Sequence, residues 1–312
     1  MKLLAFSGCV FFLAARAAAE INLTVAADGS APFRSVQAAI SNAPNGSVTS
    51  PVIIHIKPGT YKELIYAQRE KRFVRLVGED ARTTTLTFDL FARQPGPDGK
   101  PIGTFRTPST QIDADDFTAE NITFENSAGP KGQALALRVD GDRVTFRHCR
   151  FLGWQDTILD NRGRHYYEDC EIAGHVDFIF GGGTAWFEKC RLTCLGDGYI
   201  TAASTPEAEA CGFVFDHCTI SGDKPETRTY LGRPWRPYAA VTYLHCAMTT
   251  VIRPEGWNNW RDPAREKTAR FAEFDSSGEG GDMSHRVGWA RTLTAAEAAN
   301  CTVTRVLGGW QP

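Results

Sequence analysis

The segment Phe146-Arg-His-Cys-Arg-Phe151 is the first complete copy of a short pattern that recurs through the middle of the chain. Each copy has an aromatic residue, two further residues, a cysteine, one more residue and an apolar residue. The later copies are Tyr167–Ile172, Phe187–Leu192, Phe215–Ile220 and Tyr243–Met248, and an earlier copy without cysteine is Ala119–Phe124. The cysteines of successive copies lie 21, 20, 28 and 28 residues apart, a spacing typical of the coils of a solenoid.

Apolar and polar side chains alternate within each copy, and the segments between the copies show almost no helical periodicity. The repeat therefore predicts short strands. Strands that recur once per coil and contact only the neighbouring coils predict an all-β fold, a right-handed single-stranded parallel β-helix or β-solenoid. Upstream, residues 33–43 predict a short N-terminal capping helix over the first coil. Residues 52–56 and 73–77 predict buried strands, and the region after Met248 predicts a tail packed outside the coils.

The N-terminus has the features of an export signal. A lysine, an apolar run and three closing alanines predict a signal peptide over residues 1–19, followed by a single catalytic domain over 20–312. We therefore expect a secreted, extracellular protein. The formal net charge of −2 gives no basic face for nucleic acid or membrane, and we expect a monomer. Sequons occur at Asn22, Asn45, Asn121 and Asn300, and glycosylation is expected at Asn22 or Asn300 rather than at Asn121, which falls in a strand pattern.

Eight cysteines follow the predicted signal peptide. Cys149, Cys170 and Cys190 share one position on three successive coils, so we expect a buried ladder of small apolar side chains. Adjacent coils lie about 4.8 Å apart, which leaves disulfide bonds open. No Cys-x-x-Cys pair and no clustered histidines accompany them, so we expect no metal and no cofactor.

Two aspartates follow the repeat at the same distance. Asp156 lies seven residues after Cys149, and Asp177 lies seven residues after Cys170. On a solenoid this register stacks the two carboxyl groups on neighbouring coils. Because two close carboxylates do not both ionise readily, one is expected to act as a nucleophile or base and the other as an acid. The alternative is that both merely bond to backbone amides in turns.

The motifs of serine and zinc hydrolases are missing from the sequence. It has no Gly-x-Ser-x-Gly segment, and its histidines lack the spacing of a zinc hydrolase. An acyl transfer needs donors for an oxyanion as well as a nucleophile and an acid. Gln133 and Gln155 are uncharged donors that suit this role.

Several motifs in order resemble the pectinesterase family, the pectin methylesterases. The resemblance covers nearly all of the chain after residue 19. It implies a parallel β-helix and an ester hydrolysis, which agree with the fold and the acyl transfer predicted above. The motifs are Gly59-Thr-Tyr-Lys-Glu63, Asn121-Ile-Thr-Phe-Glu-Asn126, Gly132-Gln-Ala-Leu-Ala-Leu137, Gly153-Trp-Gln-Asp-Thr157, Val176-Asp-Phe-Ile-Phe-Gly181 and Tyr230-Leu-Gly-Arg-Pro-Trp235.

The resemblance implies a role for each candidate residue. Asp177 is similar to the nucleophile that attacks a methyl ester of pectin and forms an acyl-enzyme, and Asp156 to the general acid and base. Gln133 and Gln155 match the oxyanion donors, and Arg233 matches the arginine that orients the nucleophile. The implied substrate-binding residues are Thr110, Gln133, Arg233 and Trp235. One departure is His175, which stands where the family has a small hydroxyl residue.

Two other functions remain open at this point. A β-helical glycosidase or lyase also uses acidic residues, and the cluster Asp113, Asp115 and Asp116 is the candidate for a lyase's calcium site. A non-catalytic solenoid that only binds polysaccharide is the second alternative. It gives no reason for Asp156, Asp177 and Arg233 to occur together.

Overall fold

The computed structural model describes residues 20–312, and the predicted signal peptide lies outside the described residues. Short strands make up most of the regular structure. The strands are β1 (Ile21–Val25), β2 (Val52–Ile56), β3 (Gly59–Lys62), β4 (Ile65–Ala67), β5 (Val74–Gly78), β6 (Thr84–Phe88), β7 (Thr110–Ile112), β8 (Thr118–Glu120), β9 (Thr123–Asn126), β10 (Leu137–Val139), β11 (Val144–Arg147), β12 (Arg150–Leu152), β13 (Ile158–Asp160), β14 (Arg164–Glu168), β15 (Glu171–Gly181), β16 (Thr184–Glu188), β17 (Arg191–Ala203), β18 (Phe213–Asp216), β19 (Thr219–Gly222), β20 (Thr229–Pro234), β21 (Ala240–Leu244), β22 (Ala247–Met248), β23 (Arg270–Phe274) and β24 (Arg291–Thr292).

Helices are few and short. The α-helices are α1 (Val36–Asn42), α2 (Ala295–Asn300) and α3 (Val303–Val306), and 3₁₀ turns span Thr104–Arg106, Pro263–Lys267 and Glu279–Gly281. Within residues 20–312, none of the helices has the length and apolar character that crossing a bilayer requires.

The strands pair in parallel and form a parallel β-helix, which confirms the predicted fold class. One sheet stacks 11 strands in the order β1-β2-β5-β8-β11-β14-β16-β18-β21-β23-β24. The remaining strands, which lie on the other faces of the β-helix, form a 13-stranded sheet. These faces belong to one sheet because the long strands β15 and β17 run unbroken around a corner between them. Strand β2 has the predicted bounds, and β5 begins one residue later than predicted because Phe73 has a positive φ of 56°.

The repeat positions stack inside the coils. The leading aromatic residues form a continuous column with centroid separations of 4.9, 4.6, 4.5 and 4.6 Å, close to the spacing between strands. Its members are Phe146, Tyr167, Phe187, Phe215 and Tyr243. The cysteines of the repeat lie beside this column, fully buried, with free thiols. The predicted apolar ladder is therefore present in the reduced form.

A second column of equivalent residues lies at the corner just before each repeat cysteine, and at the matching register positions before Ile122 and Ser276. Every residue of this corner ladder has left-handed backbone geometry, with φ between 49° and 56°, so the chain turns sharply at the same place on each coil. The corner ladder consists of Asn121, His148, Asp169, Lys189, His217, His245 and Asp275. Left-handed residues end one strand and start the next, which explains why the strands are short.

Helix α1 covers the open end of the first coil, as predicted, although it is shorter than the expected 33–43. Its buried residues Val36, Ala39 and Ile40 join the interior. The Ser35 side chain caps it by accepting from the Ala38 N–H at 3.0 Å, and Glu63 accepts from the Val36 N–H at 2.8 Å. The cap therefore ties the helix to the loop that follows β3.

The C-terminal tail differs from the prediction. Instead of only packing outside, residues 270–274 form β23, which pairs in parallel with β21 and adds a further rung to the stack. Trp257 is buried and stacks on Phe271 with centroids 4.4 Å apart, so the interior continues past Met248. Helices α2 and α3 then pack on the outer face of the first sheet, against Trp186 and neighbouring side chains.

Candidate active site

The two predicted aspartates meet in one pocket of about 310 Å³ on the outer surface of the coils. Asp156 and Asp177 retain only 7% and 5% of their exposure. The pocket is lined by Thr104, Phe105, Gln133, Gln155, Asp156, Asp177, Phe180, Ala202, Arg233, Trp235 and Trp260. Five of these are residues that the sequence analysis assigned to the catalytic set.

Unusual backbone geometry presents both carboxyl groups to the pocket. Asp156 and Asp177 have positive φ values of 64° and 51°, a conformation that non-glycine residues adopt rarely and that often occurs at functional sites. The pairing of β15 with β17 also shifts register on both sides of Val176. These irregularities turn the Asp177 side chain out of the interior, as a β-bulge does.

Four of five consecutive coils supply the polar residues of the site, and the remaining coil supplies the small residue Ala202. The register runs from Leu137 to Ile158, then to Ile179, Thr201 and Gly232. Gln133 precedes the first of these positions, Gln155 and Asp156 precede the second, and Asp177 precedes the third. Arg233 follows the fifth, so the site crosses the coils rather than running along one of them.

Arg233 holds Asp177 through two parallel hydrogen bonds. Its Nε donates to Oδ1 at 2.8 Å and its Nη2 donates to Oδ2 at 2.6 Å. The guanidinium lies between two aromatic rings, 3.8 Å from the Tyr199 centroid and 3.7 Å from that of Trp260. Such a bidentate and stacked arginine is fixed in orientation, and lysine does not reproduce this geometry.

A small residue on the intervening coil lets Arg233 reach Asp177. Ala202 is the strand partner of both Phe180 on one side and Arg233 on the other. The arginine side chain passes over it to the coil of Asp177. Gly232 is similarly constrained, since a Cβ atom there would lie 2.0 Å from the Thr201 hydroxyl.

The two aspartates differ in their charge environment. Burial and the neighbouring charge of Asp177 raise the pKa of Asp156 well above its usual value, opposed by Arg233 at longer range. Burial also raises the pKa of Asp177, but the hydrogen bonds and charge of Arg233 and the charge of His175 oppose that rise. Asp156 accordingly holds a proton at pH values at which Asp177 is ionised.

Gln133 and Gln155 lie side by side on adjacent coils. They form an isolated parallel bridge, and the Ala134 N–H donates to the Gln155 carbonyl at 3.1 Å. Both side chains are half-buried at the pocket wall next to Asp156. Uncharged amide donors at this place can bond a developing oxyanion without neutralising either carboxyl group.

Aromatic side chains form the apolar wall of the pocket. Trp235 packs against Phe105 with centroids 6.3 Å apart and edge-on against Phe180 at 5.7 Å. Phe105 is about half exposed, an unusual position for a large apolar ring.

Thr110, predicted as a substrate contact, is fully buried in β7 and does not line the pocket. Thr104 and Phe105, earlier in the same segment, line it instead.

A protein-family model described as Pectinesterase matches residues 22–310, which is nearly the whole described chain. The chain belongs to the pectinesterase family. It is therefore a carboxylic ester hydrolase.

Individual pectinesterases resemble the chain over most of its length. "Pectinesterase 31" of Arabidopsis thaliana is 42% identical over 282 residues, covering 88% of this chain and 89% of that protein. The structure of a pectin methylesterase from carrot is 30% identical with a TM-score of 0.86, and the match covers 93% of both chains. A mutant pectin methylesterase in complex with a hexasaccharide is also 30% identical, with a TM-score of 0.82, and covers 94% of this chain and 98% of its own.

Sequence reasoning missed part of this pectinesterase pocket. Tyr199 was not considered, and the sequence left Trp260 open between lining the groove and packing within the irregular tail. The strand register carried a usable signal for Tyr199, which is the partner of Val176 beside the nucleophile. No sequence pattern predicts that Trp260 returns to cover Arg233.

His175 and the acidic cluster take structural positions. The His175 ring is half-buried and packs edge-on against Trp154 at 5.8 Å, outside the residues that line the pocket. Burial lowers its pKa, and the charge of Asp177 opposes this effect.

In the acidic cluster, Asp116 pairs with Arg72 and Arg143. Since arginine already satisfies this carboxylate, the cluster does not have the open acidic arrangement that a calcium-dependent lyase requires.

Proposed function

We propose that this protein hydrolyses the methyl esters of pectin through an aspartyl acyl-enzyme, with Asp177 as the nucleophile. One observation supports this most strongly: Arg233 clamps Asp177, whereas the neighbouring Asp156 has no hydrogen-bonded cation among residues 20–312. A buried pair with one ionised and one protonated member supplies a nucleophile and an acid in the same pocket.

In the first half-reaction, an ionised Asp177 oxygen attacks the ester carbonyl carbon. The carbonyl oxygen becomes an oxyanion and accepts hydrogen bonds from the side-chain amides of Gln133 and Gln155. The bond from carbon to the methoxy oxygen then breaks. Asp156 gives its proton to that oxygen, methanol leaves, and a mixed anhydride joins Asp177 to the galacturonate.

In the second half-reaction, the roles of Asp156 reverse. As a carboxylate it accepts a proton from water, and the hydroxide adds to the galacturonate carbonyl carbon. The amide donors hold the second oxyanion. Its collapse breaks the anhydride, returns Asp177 as a carboxylate held by Arg233 and releases the acid product, while Asp156 is protonated again.

The aromatic wall supports a carbohydrate substrate. Trp235 and Phe105 present flat apolar faces at the pocket, and the apolar side of a pyranose ring packs on such faces. The Arg236 guanidinium stacks over Trp235 at 4.7 Å, beside the pocket. It offers a positive charge to a neighbouring galacturonate carboxylate of the polymer.

We further infer that the protein is exported by its first 19 residues and acts outside the cell as a monomer. Three of its four sequon asparagines, Asn22, Asn45 and Asn300, have exposed side chains, which suits glycosylation during export. Amino-terminal sequencing of protein collected from the medium tests the leader. A mature terminus near residue 20 is expected.

The activity is tested by incubating the purified chain with highly methylated pectin, with and without chelator. Methanol, acid groups, unsaturated ends and polymer length are followed together. We expect equal amounts of methanol and acid, unaffected by chelator, at constant polymer length. Chain shortening or unsaturated ends without methanol would instead identify a depolymerase on the same fold.

A further inference from the structure

A second cluster of polar side chains lies on the corner ladder, away from the pocket. Asp216 ends β18, and its strand partner is Leu244 at the end of β21. The next residues, His217 and His245, are therefore neighbours on adjacent coils. Their rings stack with centroids 4.8 Å apart and an interplanar angle of 26°.

The Asp216 carboxylate joins the two rings. Its Oδ1 lies 2.9 Å from Nδ1 of His217 and 3.0 Å from Nδ1 of His245. One candidate ligand atom from each of the three residues falls within 4.8 Å of the others. Three potential metal ligands thus converge from two coils that are 28 residues apart in sequence.

We propose that Asp216, His217 and His245 form a binding site for a divalent transition metal ion, with Zn²⁺ as the ion best suited to it. Two imidazole nitrogens and one carboxylate oxygen form a ligand set that Zn²⁺ accepts in tetrahedral geometry, leaving the fourth position for water.

The distances fit this coordination after a small expansion. Ligand bonds of about 2.0–2.2 Å in a tetrahedron separate neighbouring ligand atoms by roughly 3.3–3.5 Å. The carboxylate oxygen already lies 2.9 and 3.0 Å from the two nitrogens. Each contact opens by a few tenths of an ångström to admit the ion, which side-chain rotation supplies.

The backbone fixes both histidines in place. The His217 N–H donates to the Leu244 carbonyl at 3.0 Å, and the His245 N–H donates to the Phe274 carbonyl at 2.9 Å. The His245 ring also packs edge-on against Phe274, with centroids 5.5 Å apart. A ligand set built on a rigid corner needs little reorganisation on binding.

The electrostatic setting favours a cation. On earlier coils the acidic residue just before the corner ladder has a basic partner, as Glu168 has Arg147 at 2.9 Å. Among residues 20–312, Asp216 has ion-pair contacts only with the two histidines. Side-chain exposures of 16% for Asp216, 35% for His245 and 56% for His217 leave the site open to solvent.

The site is structurally separate from the ester hydrolase chemistry. None of its three residues lines the catalytic pocket. A bound ion would link the ends of two consecutive coils, so it would stabilise the solenoid and leave catalysis unchanged. The ligands escape sequence motifs because their proximity arises only from the coil register.

The test uses the full chain stripped with chelator and then titrated with ZnCl₂ in a calorimeter. The variants are His217→Ala, His245→Ala and Asp216→Asn, and His148→Ala is a matched control at an exposed, equivalent position of the corner ladder. A Cys211→Ser, Cys301→Ser double variant controls for zinc held by the partly exposed thiols. Circular dichroism and methanol release verify that each variant is folded.

We expect one Zn²⁺ per chain in the wild type, the His148→Ala variant and the cysteine double variant. Each substitution in the cluster should weaken the affinity by about 10-fold or more. Bound Co²⁺ should give the strong visible absorption of a four-coordinate site in the wild type. Unchanged zinc affinity in the histidine variants, binding lost only with the cysteines, or no zinc bound by the wild type would overturn the proposal.

Discussion

At the scale of single residues, the difference between Asp156 and Asp177 is central to the proposed chemistry. Both are nearly buried, but only Asp177 has a hydrogen-bonded arginine. The proposed acylation needs Asp156 protonated and Asp177 ionised. Its rate should therefore rise as Asp177 loses its proton and fall as the pH passes the raised pKa of Asp156.

Replacing Asp156 tests this assignment. In Asp156→Asn the side chain keeps its size but supplies no acid, so methanol release should slow by about 10²-fold or more. The limb of the pH profile that falls at high pH should also disappear. Initial rates of methanol release between acidic and alkaline pH measure both effects. A variant that keeps the wild-type rate and profile would remove Asp156 from the mechanism.

A different buried pair should make stability depend on pH. His165 and Asp160 are fully buried, and His165 Nδ1 lies 2.7 Å from Asp160 Oδ1. His165 Nε2 lies 3.1 Å from the Gly141 carbonyl, which only accepts, so this nitrogen carries a proton. Burial lowers the pKa of His165, but the charge of the adjacent Asp160 outweighs it and the pKa is raised overall.

The direction of the pH effect follows from that shift. A histidine with a raised pKa in the folded state stabilises fully below its unfolded pKa of about 6.5, and this stabilisation is lost as the pH rises through the folded value. The free energy of unfolding, measured by urea denaturation, should therefore decrease as the pH rises above about 6.5 and through the folded-state pKa of His165. In Asp160→Asn, which keeps an acceptor for the Tyr167 hydroxyl, this decrease should vanish. An identical slope in both proteins would contradict the assignment.

At the scale of secondary-structure elements, the aromatic column links one coil to the next. Phe187 stacks on Tyr167 at 4.6 Å and on Phe215 at 4.5 Å, and it is fully buried. Truncating it removes contacts to two coils and leaves a cavity in an interior that has little freedom to collapse.

Phe187→Ala should accordingly lower the free energy of unfolding by about 3–5 kcal/mol. The exposed Val48 provides a control, since Val48→Ala should change stability by less than about 0.5 kcal/mol. Equilibrium denaturation of the three proteins makes the comparison. Equal stabilities would mean that the column is not a principal contact between coils.

The elements that were predicted well are those with a repeated register. The position of cysteine within each copy fixes the strand pairs, and the equal offsets of Asp156 and Asp177 predict that they meet, which the pocket confirms. The corner ladder was not predicted, because a positive φ at residues such as His148 and Lys189 leaves no mark in side-chain alternation.

At the scale of the whole molecule, the pocket combines the regular coils with the irregular tail. Asp156, Asp177 and Arg233 come from stacked coils, whereas Trp260 comes from the tail and covers the guanidinium. The contact of Trp260 with Arg233 depends on how a loop of the tail folds back over the solenoid. Tertiary packing sets the path of this loop; for example, the Asn258 side chain accepts from the Trp260 N–H at 2.9 Å. No periodicity in the sequence encodes this path.

The central claim is that Asp177 becomes covalently acylated, and reductive trapping tests it most directly. The enzyme is mixed with methylated pectin, quenched with borohydride during turnover, digested and analysed by mass spectrometry, with Asp177→Asn as the control. Borohydride reduces an aspartyl anhydride, so the peptide containing Asp177 should carry homoserine at that position only when substrate is present. Unmodified Asp177 under steady turnover, together with continued methanol release by Asp177→Asn, would contradict the account.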